Sequence, residues 1–161
     1  MCEFASFFHN PLTGEIAVKD LDSHGNTEKK LNLDPKTWRE GHYTPKEEIT
    51  LRFTSEDRVD KTEYETAFKN RFPSFVSFFN WAIKEIGCSE KYGGSLNLNG
   101  LTSAKDLVLP KTIGGSLDLS GLTSAKDLVL PKTIGGSLDL RGLTSAERTE
   151  LKNQYPHIKI I

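Results

Sequence analysis

The sequence predicts an α+β chain in two parts: a small antiparallel sheet with a packed helix over residues 1–91, then a short β-solenoid over residues 92–161 that ends in a helix–strand cap (residues 143–161). Three observations carry that prediction. Residues 92–112 (YGGSLNLNGLTSAKDLVLPKT) and 113–133 (IGGSLDLSGLTSAKDLVLPKT) are nearly the same, and IGGSLDLRGLTSA opens a third copy at Ile134. A fixed 21-residue period of this fidelity marks units that stack on one another. Residues 74–86 carry Phe75, Val76, Phe78, Phe79, Trp81, Ala82, Ile83 and Ile86, which wrap most of a helix and require packing on two sides. The composition also changes between the parts: residues 1–91 hold 13 basic and 16 acidic side chains, a local net of −3, together with most of the aromatics.

The bulk numbers agree with a globular protein, with 36% hydrophobic and 27% charged residues in a chain of 161. A net charge of −1 supplies no drive toward nucleic acid or an anionic membrane. No apolar run approaches the roughly 18 residues of a membrane span, and the start lacks the basic-then-apolar pattern of a secretory leader. Two cysteines, Cys2 and Cys88, are too few for a secreted disulfide scaffold, so a reduced, cytoplasmic protein with free thiols is expected.

In chain order, residues 4–8 read as a strand, Asn10-Pro11 with Gly14 as a hairpin turn, and residues 15–21 as an alternating strand. A polar loop (residues 22–30) precedes two further strand candidates, residues 38–43 and 49–53, giving a meander of about four strands. A short polar helix over residues 61–70 and the main helix over 74–86 follow, the latter capped by Gly87 and expected to bridge to the first coil. Within a repeat, Ile113 and Leu117-Asp118-Leu119 alternate as one half-buried strand, and Leu128-Val129-Leu130 forms a second apolar stretch stopped by Pro131. The Gly114-Gly115 pair is assigned to a sharp corner. Each copy would be a coil of a right-handed solenoid, with Leu96, Leu117 and Leu138 stacked in one row and Leu98, Leu119 and Leu140 in another. The last copy departs through Thr144 and Glu147, a capping-box pair, into a helix to about Gln154; Pro156 stops it, and residues 157–161 read as a terminal strand covering the last coil.

The L-x-L-x-G-L-T-S core with a following L-P resembles the short leucine-rich repeats of bacterial effectors and of many bacterial and phage proteins. That family usually places an Asn after L-x-L, bonding backbone across coils. Gly100, Gly121 and Gly142 stand near that place here, which leaves a flatter, β-helix-like coil open. The opening MCEFASFF, the DSHG near residue 22 and WREGHYTP resemble the N-terminal part of phage and bacterial proteins in which a similar domain precedes repeats. The resemblances imply a repeat protein of phage or mobile-element origin, and no catalytic residue carries over.

Several residues invite chemistry. Removal of Met1 would leave the Cys2 thiol beside a free α-amine, a nucleophile-plus-base pairing. The Glu-Phe that follows differs from the Gly-Ile of glutamine amidotransferase domains, which MC otherwise resembles, and the plainer reading is the start of an edge strand. Asp22 and His24 form an Asp-x-His pair suited to metal or acid–base work, yet a Gly-containing turn explains them without it. Trp38, Glu40 and His42 share a strand face that would line a pocket or simply form a polar edge. The Gly-Gly-Ser turns lack the Lys and the strand-to-helix context of a phosphate loop. Three polar rows are expected to point outward from the coils: Ser95/Ser116/Ser137, Asn97/Asp118/Asp139 and Asn99/Ser120/Arg141. Neighbouring Asp groups, about 5 Å apart across strands, repel mildly.

The resulting expectation is a non-enzymatic protein–protein interaction module that binds through Asn97, Asn99, Asp118, Ser120, Asp139 and Arg141, without cofactor or metal. By resemblance, its partner is a host enzyme or defence complex that it inhibits. The alternatives are a small hydrolase or transferase using Cys2 or the Asp22/His24 pair, and a spacer whose repeats expanded by duplication.

Overall fold

The computed structural model describes residues 6–18 and 32–161. The chain divides into two compact units, Met1–Ile86 and Gly87–Ile161. The architecture is mixed α+β, with one antiparallel sheet, two parallel sheets and three helices among the described residues.

In the first unit, strands β1 (Ser6–His9), β2 (Ile16–Ala17), β3 (Arg39–Tyr43) and β4 (Ile49–Leu51) form an antiparallel sheet in the order β2-β1-β3-β4. It is not the simple meander expected, because β1 lies between β2 and β3. Asn10 sets the first turn: its Oδ1 accepts the Leu12 N–H at 3.0 Å, and its own N–H donates to Glu15 O at 2.9 Å.

Strand alternation aligns Phe7, Gly41 and Leu51 on one face. A Cβ at Gly41 would lie 2.6 Å from the Phe7 ring, so glycine makes room for that ring across the sheet. Helix α1 (Lys61–Arg71), capped by Asp60, brings Phe68 flat against Phe7, with centroids 5.2 Å apart at 11°. Helix α2 (Phe75–Glu85) buries Phe75, Val76, Phe78, Phe79, Ala82 and Ile83, the wide apolar girth its sequence predicts. Its start is held twice. Ser74 and Ser77 form a capping box, and Glu47, at φ +63° in the β3–β4 turn, accepts the Phe75 N–H at 2.8 Å and the Tyr43 O–H at 2.9 Å. A carboxylate at a helix N-terminus is favoured by the exposed N–H groups and the helix dipole.

The second unit contains β5 (Lys91–Tyr92), β6 (Leu96–Asn97), β7 (Thr112–Ile113), β8 (Leu117–Asp118), β9 (Thr133–Ile134), β10 (Ser137–Asp139) and β11 (Lys159–Ile160). They form two parallel sheets, ordered β5-β7-β9 and β11-β10-β8-β6. Equivalent residues of successive copies pair: Tyr92 with Ile113 and Ile113 with Ile134, Leu96 with Leu117 and Leu117 with Leu138. Leu96, Leu98, Leu117, Leu119, Leu138 and Leu140 are at most 1% exposed. The single alternating strand expected in each copy is therefore two short strands in different sheets, divided by the Gly-Gly pair. Leu128-Val129-Leu130 forms no strand, and Val129 is 71% exposed.

The Gly-Gly pairs have a different cause from the corner first assigned to them. None of these glycines has positive φ; the described glycines that do are Gly14 and Gly87. What they supply is space. A Cβ on Gly114 would sit 2.5 Å from Gly93 O, and one on Gly135 would collide with Gly114 O, while Gly93 in the first copy meets nothing within 4 Å. The left-handed residues are instead Asp106 and Asp127, both at φ +62°, in turns closed by Leu107 N–H to Ala104 O and Leu128 N–H to Ala125 O.

The serine row faces outward as expected, with Ser95 and Ser116 exposed, and it also bonds across the copies. Ser95 Oγ accepts the Ser116 N–H at 2.9 Å, and Ser116 Oγ accepts the Ser137 N–H at 3.1 Å, a ladder that ties copy to copy. At the C-terminal end, α3 (Ser145–Gln154) opens with the Thr144/Glu147 capping box. Glu147 Oε1 also accepts the Ala125 N–H of the preceding copy at 2.9 Å. Arg148 donates to the carbonyls of Arg141 and Leu143 at 3.2 Å. β11 then pairs in parallel with β10, where the strand of a further copy would lie.

Candidate interaction surface

The six residues read as a binding row occupy equivalent places in the three copies, and the structure joins them in pairs. Asn97 Oδ1 accepts the Asn99 N–H at 3.2 Å. Asp118 Oδ1 accepts the Ser120 N–H at 2.9 Å and the Ser120 O–H at 2.7 Å. Asp139 Oδ1 accepts the Arg141 N–H at 3.1 Å. Each is an Asx turn, in which a short carboxylate or amide closes the backbone two residues on. The L-x-N/D-x pattern thus sets the bend after each strand as well as the row's chemistry.

The charge balance along the row differs from the repulsion expected of stacked Asp groups. Asp118 and Asp139 are register partners on neighbouring strands. Arg141 lies over Asp139, donating from Nε at 3.0 Å and from Nη2 at 2.7 Å. That side-chain bond, more than burial opposes it, holds the Asp139 carboxyl below its ordinary range. Asp139 is 8% exposed, whereas Asn99 and Arg141 are exposed and Asn97, Asp118 and Ser120 half-buried.

Cys2, Asp22 and His24 lie outside the described residues. Cys88 is half-buried and forms no disulfide among the described residues. Trp38 precedes β3, leaving Glu40 and His42 on the strand face. The cross-strand register adds a residue the sequence did not single out: Ser6 pairs with His42, its Oγ 3.3 Å from Nδ1, while Glu40 Oε1 is 3.4 Å from Nε2. This is a Ser–His–carboxylate line in composition, but Ser6 is only 6% exposed, and a nucleophile for an external substrate must reach solvent.

His9 lies on the opposite face, fully buried, with Nδ1 3.1 Å from Tyr64 Oη and Nε2 without a hydrogen-bond partner among the described residues. Burial pushes its pKa down to about 4, outweighing the raising influence of the nearby Arg52 backbone and of the Asp57 charge. Arg39, 8% exposed, makes a bidentate pair with Asp57 at 2.8 and 2.6 Å; its other N–H groups go to Pro35 O, Trp38 O and Thr54 Oγ1. Burial would raise the Asp57 pKa, but the bonds from Arg39 and the Thr54 N–H take it below the ordinary value.

Among the described residues, no group of three or more His, Cys, Asp or Glu side chains converges as a metal site would, and no helix is long and apolar enough to cross a membrane. Comparison with protein-family models, with curated proteins and with solved structures returned no match.

Proposed function

We propose that the chain is a non-enzymatic protein–protein interaction protein. On this reading its second unit is a short solenoid of the leucine-rich-repeat kind, and Asn97, Asn99, Asp118, Ser120, Asp139 and Arg141 are the centre of its contact surface. The observation that carries the reading is the threefold Asx turn: the same donor–acceptor geometry recurs in each copy. Side chains already fixed by bonds lose little freedom on binding, a saving of about 0.5–1.5 kcal/mol for each rotamer-rich group. The row is three strands wide, about 10 Å at the usual strand spacing. A stable interface of about 1,000 Å² or more must therefore extend beyond it. The partner is a host enzyme or defence complex that the protein inhibits in the cytoplasm, as its resemblance to phage and mobile-element repeat proteins implies.

The test is binding by a variant that keeps the turns. Asp118→Asn retains the acceptor while removing charge, and Asn99→Ala and Arg141→Ala remove exposed side chains. The triple variant should retain its unfolding midpoint within a few degrees and lose the partner captured by the parent chain. An unchanged captured set would remove the row from the contact surface.

A further inference from the structure

The first unit contains a small slot between the β1–β2 hairpin and helix α1. Its volume is about 140 Å³, and its lining is Gly14, Ile16, Tyr64, Ala67, Phe68 and Arg71. That is well below the roughly 300 Å³ at which pockets for drug-sized ligands begin, and close to the roughly 150 Å³ cavity that accommodates a single benzene ring. The size selects one side chain rather than a cofactor.

The chemistry of the wall is mixed in a specific way. Ile16, Ala67 and Phe68 give an apolar lining, and the Tyr64 hydroxyl is turned to His9. At the rim, Arg71 is exposed and has no carboxylate partner among the described residues. Its guanidinium lies 4.9 Å from the Phe72 ring centroid and 5.3 Å from that of Trp81. Those rings hold the cation in place without neutralising it, and a guanidinium so held is ready to take a carboxylate by two parallel bonds. On the same hairpin turn as Gly14, Leu12 stands 68% exposed.

We propose that this slot is an anchor site for the C-terminal residue of a protein partner, with a Phe- or Leu-sized side chain in the slot and the terminal carboxylate on Arg71. The site lies wholly within the first unit and does not rest on the polar row of the repeats.

The experiment uses the full ¹⁵N-labelled chain and the peptide Ac-Ala-Ala-Phe, as the free acid and as the amide. The acid should shift the amide resonances of Gly14, Ile16 and Ala67, and the amide should bind about tenfold more weakly, the loss of a charge-assisted bidentate contact. Arg71→Gln should erase the difference between the two peptides, and Ala67→Trp, at an exposed helical position, should fill the slot and abolish the local shifts. Equal binding of acid and amide would overturn the proposal, as would shifts confined to other residues or no shifts at millimolar peptide. Concentration-dependent self-association that Leu12→Ala abolishes would also overturn it, because the occupant would then be the hairpin of a second copy, with Leu12 and Glu15 in place of the peptide.

Discussion

Replacing the first glycine of each Gly-Gly pair by alanine separates space from torsion as the reason for glycine. In the second copy, a Cβ at position 114 would lie 2.5 Å from Gly93 O. An ordinary carbon–oxygen contact is about 3.3–3.6 Å, so the strands must part by nearly 1 Å. Two ladder bonds cross that gap, Gly114 N–H to Tyr92 O at 2.8 Å and Gly115 N–H to Gly94 O at 2.9 Å. Losing both costs about 1–3 kcal/mol at the usual net value per bond, and residual crowding adds about 1 kcal/mol. Gly114→Ala should therefore destabilise the second unit by about 2–4 kcal/mol, or about 10–25 °C in Tm for a unit of this size. Gly135→Ala, which collides with Gly114 O, should do the same. Gly93→Ala meets nothing within 4 Å and requires no left-handed backbone, so it should be neutral or stabilising by up to about 1 kcal/mol through the unfolded chain. Thermal unfolding by far-UV circular dichroism reads this. Both tryptophans, Trp38 and Trp81, belong to the first unit, so their fluorescence reports that unit separately. If Gly93→Ala and Gly114→Ala lowered the midpoint equally, the stacking explanation would be refuted.

Three further outcomes follow from single residues. Asp127, at φ +62°, should tolerate glycine with a gain below about 1 kcal/mol, while Asp127→Val should lose about 1–2 kcal/mol in the same melts, because a β-branched side chain resists that region. The unfolded chain protonates His9 near its ordinary 6.5 and the folded chain only near about 4, so the first unit's stability should rise with pH between those values and level off above them. The change is about 3 kcal/mol, readable by urea titration with tryptophan fluorescence at pH 4.5 and 7, and His9→Leu should flatten the slope. Glu147→Ala should speed hydrogen exchange at the Ala125 and Thr144 amides it accepts from, and acidification should act the same way only below the ordinary carboxylate range, because those bonds depress its pKa.

Local signals were legible where one segment decides its own conformation. The girth of apolar positions around residues 75–85 could only be a packed helix, and Thr144 with Glu147 could only begin one. The copy-to-copy register was legible because equal spacing leaves one way to pair equal residues. What stayed hidden depends on neighbours across strands. The glycine pairs suggested torsion, but the carbonyl that excludes a side chain belongs to a residue 21 positions earlier. Ser95 and Ser116 read as solvent-facing hydroxyls, which they are, but the bonds they accept stayed hidden because the donor amides lie in the next copy. The row of candidate binding residues was legible as a row, yet its internal Asx bonds were not, since the same Asp beside a Ser is equally at home in a free loop. Ser6 beside His42 and Arg39 locked to Asp57 required the sheet register and the path of a loop, neither of which a periodicity reveals.

Site-specific photocrosslinking in the native host tests the central claim most directly. A photoreactive residue at Asn99 or Arg141, on the exposed polar row, should give a discrete partner adduct, and one at Lys105 or Lys126, on the exposed turns of the first and second copies, should not. Adducts from the lysine positions alone, or none from the row, would contradict an interaction surface centred on the Asx turns.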